Sequence, residues 1–167
     1  MNVAIFPLPR YKSISRSTVA LAGWLVLCFA ASGTAFFVST NGWYASLQKP
    51  SWNPPGWIFA PVWTSLYLMM ALAAWLVWRE GGWRVQRRAL NVFILQWALN
   101  VLWTPLFFWR HLVGLAFWEI VTLLSVLVVT IVLFQRVRQA AGLLLLPYLF
   151  WVSFAASLNF TIWRLNG

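Results

Sequence analysis

The stretch ALNVFILQWALNVLWTPLFFW, Ala89–Trp109, decides the fold. It holds no charged residue, and Arg88 and Arg110 close it on either side. At about 1.5 Å of rise per residue, a helix of this length crosses the ~30 Å hydrocarbon core of a bilayer. Four further runs have the same character: Ser17–Gln48, Pro50–Trp78, Leu112–Gln135 and Gln139–Trp163. Only the third of these carries an acid, Glu119. Setting aside a loop at residues 40–56 leaves predicted spans near 18–38, 58–78, 89–108, 114–134 and 143–163. In lipid only helices and closed barrels satisfy their own backbone. Evenly apolar runs, unlike alternating segments of about ten residues, exclude a barrel. The expectation is an all-α integral membrane protein: one domain over residues 1–167, a bundle of five transmembrane helices.

Composition agrees. The chain is 62% hydrophobic and 8% charged, against about 25% charged residues in soluble domains. Its net charge is +10, with Glu80 and Glu119 as the two acids. The cations sit in short segments between apolar runs, where they set topology and meet lipid headgroups, so nucleic acid is not an expected partner. Arg10, Lys12, Arg16, Arg79, Arg84, Arg87, Arg88, Arg136 and Arg138 fall on one side. Lys49, Arg110 and Arg164 fall on the other. This asymmetry predicts a cytoplasmic N-terminus and an external C-terminus. Helical spans suit an inner membrane, since outer-membrane proteins are usually barrels. The first apolar run is longer than a signal-peptide core and is expected to be retained as a span.

Pro61, Pro105 and Pro147 fall inside spans and predict bends. Ala31 and Ala35 form a small-xxx-small pair, suited to close helix contact within the bundle or between protomers. Cys28 and His111 are each the sole residue of their type, so neither a disulfide nor a conventional metal site is expected. No Ser/His/Asp, Cys/His or paired-carboxylate set and no glycine-rich phosphate loop is present.

The loop NGWYASLQKPSWNPPGW carries Trp43, Trp52, Trp57 and three prolines. Stiff and aromatic, it reads either as an interfacial belt or as a lid over a cavity. Trp63, Tyr67 and Met70 share a face of span 2. Gln96, Asn100 and Trp103 share one of span 3, placing two amides and an indole together, for interhelical hydrogen bonds or as a polar patch in a cavity. Tyr148, Trp151, Ala155 and Leu158 share one of span 5, with a small residue between aromatics as a slot for a flat ligand or ordinary packing. Glu119 is either an interfacial acid paired with a cation such as Arg110 or a buried functional group.

Three strings carry a family resemblance: WYASLQKPSWNPPGWIFAPVWTSLYLMMALAAWLVW (Trp43–Trp78), QWALNVLWTPLFF (Gln96–Phe108) and PYLFWVSFAASLNFTIWRLN (Pro147–Asn166). In this order they resemble the translocator protein family, also called tryptophan-rich sensory proteins or peripheral benzodiazepine receptors. The resemblance implies a five-helix bundle, commonly a homodimer, with a cavity open toward the long loop. It implies binding of porphyrins, notably protoporphyrin IX, and of sterols and isoquinoline or benzodiazepine ligands. No cofactor is required; the porphyrin is a ligand. Cavity residues implied by the motifs are Trp43, Trp52, Trp57, Trp63, Tyr67, Asn100, Trp103, Trp151, Ala155 and Leu158. Glu119 matches an acid of the family, Leu115 replaces a mammalian tryptophan, and the sterol-recognition segment reads LNFTIWR with Phe160 in place of tyrosine. Three functions follow as expectations: a porphyrin sensor, sink or carrier linked to tetrapyrrole regulation; light-dependent porphyrin oxidation, with Trp103 and Trp151 as the candidate electron donors; or a passive transporter or scaffold.

Overall fold

The computed structural model describes residues 14–38 and 42–167. Arg10 and Lys12 of the charge count, and Thr40 and Asn41 of the loop, lie outside the described residues. Among the described residues, five helices are long and apolar enough to cross a membrane: Arg16–Ala35, Gly56–Arg79, Arg87–Trp109, Val113–Val137 and Gln139–Asn166, called spans 1 to 5. The largest departure from expectation is in span 5, which starts at Gln139. A short helix, Gln139–Leu143, precedes the main helix Leu146–Asn166. Pro147 sits in the first turn of that main helix, where its missing N–H removes no internal bond.

Span 1 packs on span 2, span 3 on span 4 and span 4 on span 5, so sequence neighbours are antiparallel neighbours in space. The start of span 5 also returns to span 2. At the arginine-rich end, Trp24 meets the edge of Phe93 at 5.6 Å, and Phe93 stacks on Phe134 at 5.6 Å, joining spans 1, 3 and 4. Span 2 buries Met70, Ala71, Ala73, Ala74 and Val77 completely. The alanines among them suit close packing of neighbouring helices.

The Ala31–Ala35 pair does not present one face. Ala31–Phe37 winds as a 3₁₀ helix. With three residues per turn, positions four apart diverge by about a third of a turn. Ala31 is therefore buried while Ala35 is exposed. The Ser32 hydroxyl donates to the Phe29 carbonyl at 2.6 Å and Thr34 to Ala31 at 2.8 Å, tightening the backbone locally. Pro105 opens a wider turn: Pro105–Trp109 is a π-helix, with the Arg110 N–H donating to Pro105 at 2.9 Å.

Candidate functional site

The long loop begins with a four-residue helix, Trp43–Ser46, laid over the π-turn of span 3. Trp43 meets Phe107 at 5.8 Å and stacks on His111 at 3.9 Å. Tyr44 tilts against Phe108 at 5.3 Å. His111 takes a positive φ of 56° in the tight connection between spans 3 and 4, which turns its ring toward the loop. Lys49 reaches over the Tyr44 ring at 4.6 Å, and its ammonium donates to the Leu47 carbonyl at 3.0 Å. Burial pushes the Tyr44 phenol above its ordinary pKa, opposed by its hydrogen bond to Asn53.

The loop then runs lengthwise along the outer part of span 5. The Gln48 N–H donates to the Asn166 side-chain oxygen at 2.9 Å, and the Asn166 amide donates back to the Gln48 carbonyl at 3.0 Å. Deeper down, Trp52 meets the edge of Phe154 at 5.7 Å, and Phe59 meets Trp151 at 5.7 Å. The loop is therefore a cap over span 3 and a strap beside span 5. Trp52 remains 46% exposed and Trp57 74% exposed. Trp57 is not brought against the other predicted residues.

Beneath the cap lies an aromatic layer, with Trp103 stacked on Phe107 at 5.0 Å and Leu158 buried beside it. Trp103 is pinned by a residue the sequence patterns did not single out. Its indole N–H donates to Asn159 at 3.1 Å, and the Asn159 amide donates to the Val113 carbonyl at 3.0 Å. One buried amide thus ties spans 3, 4 and 5. Its only sequence signal was that it is an amide inside an apolar run. Farther in, Trp63 stacks on Tyr67 at 5.2 Å and meets the edge of Tyr148 at 6.2 Å.

The centre of the bundle is polar and incompletely satisfied. Gln96, Asn100, Glu119 and Tyr148 are all buried. Both amide atoms of Gln96 and both carboxyl oxygens of Glu119 have no hydrogen-bond partner among the described residues. The Tyr148 hydroxyl faces Asn100, Tyr67 and Glu119 in this interior. Glu119 is thus an interior group, and the alternative pairing with Arg110 is absent; Arg110 is exposed. Trp151 and Ala155 are half-buried against the main core. Trp151 also borders a cleft of about 580 Å³ between spans 2 and 5, beside Pro61, Met69 and Phe150.

Fold and interior together define an integral membrane protein of five spans, with aromatic walls around a polar centre. Residues 18–164 match the model of the TspO/MBR family. The tryptophan-rich protein TspO of Chlorobaculum tepidum is 44% identical, over 89% of this chain and 96% of its own length. Protein CrtK of Rhodobacter capsulatus is 38% identical over 90% of this chain and 94% of its own. The human translocator protein is 39% identical over 83% of each. The chain belongs to the TspO/MBR family.

Proposed function

We propose that this protein is a membrane receptor of the sensory type that binds porphyrins, protoporphyrin IX foremost, inside the bundle and in connection with tetrapyrrole regulation or transport. The carrying observation is the set of buried polar atoms on Gln96 and Glu119 that have no partner among the described residues, beside the buried Tyr148. Such atoms in a membrane interior cost free energy until something bonds to them. Trp63, Tyr67, Trp103 and Trp151 around them provide flat apolar area and quadrupole contacts suited to a macrocycle. Sterols and isoquinoline-type compounds would share the apolar part of the site. On this reading the N-terminus is cytoplasmic, the host is a bacterial inner membrane and the protein works as a homodimer.

A second reading, a passive carrier, rests on Trp151. It touches the core on one side and the lipid-facing cleft on the other, so an apolar ligand would pass beside it from the bilayer.

The test is a protoporphyrin titration followed by tryptophan fluorescence, in darkness and under illumination. Saturable quenching is expected, weakened at least tenfold by Trp151→Phe together with Asn100→Ala. Unchanged affinity in that pair would remove the interior site. Porphyrin absorption bands that fade faster with protein than in detergent alone would add light-dependent oxidation, with Trp103 and Trp151 as the donors to replace. Ligand transfer between vesicles, absent without protein, would support the carrier reading.

A further inference from the structure

A second cleft, of about 690 Å³, opens at the arginine-rich end of the bundle, away from the capped interior. This volume lies within the range of small-molecule sites. Val19, Gly23 and Leu27 of span 1 line one wall. They stand four residues apart, so they form a straight row on one helical face. Space lies open above Gly23: a Cβ added there meets no atom within 4 Å. The inner wall is Trp24, stacked on Trp83 at 6.0 Å with the rings 7° from parallel. Trp83 belongs to the turn Gly82–Val85 and is 42% exposed, the position of an indole at headgroup level. Arg16 stands at the mouth.

The charge around this cleft is uncompensated. Among the described residues the one acid at this end is Glu80, and Arg138 pairs with it at 3.4 Å. Arg16, Arg84, Arg87 and Arg88 have no carboxylate of the described chain within ion-pair distance. Cationic clusters at the ends of spans attract anionic lipid headgroups. A hydrocarbon trough that ends in a cationic rim matches a molecule with a linear apolar chain and a negative head.

We propose that this cleft is a binding site for an anionic phospholipid, with one acyl chain along Val19, Gly23 and Leu27 and its phosphate at Arg16 and the arginine-bearing turn. The site is separate from the porphyrin site and does not depend on it.

The test uses the full-length protein in phosphatidylcholine vesicles with brominated lipids, whose acyl chains quench nearby indoles. The signal read is the difference between the unaltered protein and Trp83→Phe. At equal mole fraction, brominated phosphatidylglycerol should quench Trp83 several-fold more strongly than brominated phosphatidylcholine. Arg16→Gln should cut that preference at least by half. Gly23→Leu, which fills the trough, should remove quenching by both while leaving the porphyrin titration unchanged. Equal quenching by the two lipids in the unaltered protein would overturn the proposal. So would full headgroup preference in Arg16→Gln, or the weak, equal quenching expected if a second copy or the preceding chain segment covered the cleft. Should Gly23→Leu fail to fold, the Arg16→Gln comparison decides alone.

Discussion

At the scale of single residues, Asn159 ties three spans together through one amide. It accepts from the Trp103 indole and donates to the Val113 carbonyl, and it is 1% exposed. Two effects compete when it is altered. Hydrogen bonds between membrane helices average only about 0.6 kcal/mol. A buried group left without its partner costs about 1–3 kcal/mol. Trp103→Phe strands the Asn159 oxygen, so the second effect should win and stability should fall by about 1–2 kcal/mol. Asn159→Leu should cost at least as much, and the double variant less than the sum of the two. Thermal or denaturant unfolding in one detergent checks this; additive losses would show that the pair is not coupled. Periodicity made Gln96, Asn100 and Trp103 legible because they share one helical face. It could not show Asn159, whose partner lies 56 positions away. His111 was equally hidden, because its role comes from a left-handed backbone turn and a stacked indole rather than from its own chemistry.

At the scale of elements, spans were readable from the absence of charge, and their interiors were not. A lipid-facing residue and a core residue are both apolar here, so the pattern that separates them in a soluble helix is missing. Hence Ala31 and Ala35 of span 1 read alike although one is buried and the other exposed, and the buried Ala71, Ala73 and Ala74 of span 2 did not stand out. Two glycines mark further close contacts. A Cβ at Gly142 would stand 2.1 Å from the Gln135 side chain and 3.0 Å from the Ile131 carbonyl oxygen, where the turn into span 5 crosses the end of span 4. At Gly114 it would stand 2.9 Å from the Trp163 indole. Backbone cannot yield as a side-chain tip can, so Gly142→Ala should destabilise more than Gly114→Ala, by about 1–3 kcal/mol as overpacking does. Comparing the two midpoints tests this ordering, and equal midpoints would contradict it.

At the scale of the whole molecule, the number of spans followed from bilayer thickness and charge placement, while the early start of span 5 did not. The polar centre was partly legible: Gln96, Asn100, Glu119 and Tyr148 each stood out, and the structure buries all four. That Gln96 and Glu119 are left without partners among the described residues was not legible, since it depends on which faces of the spans meet. The loop was legible as stiff and aromatic, but its course along span 5 was not. That course depends on Asn166, near the far end of the chain from Gln48. The paired bonds between these two residues fasten the first loop to the end of the last span, so the fold closes like a clasp. In mechanical terms, a pull applied at the C-terminus loads that clasp before it loads any helix. Single-molecule extraction from the C-terminal end should therefore begin with a small, early rupture that Asn166→Ala abolishes, and extraction from the N-terminal end should lack it as a first event.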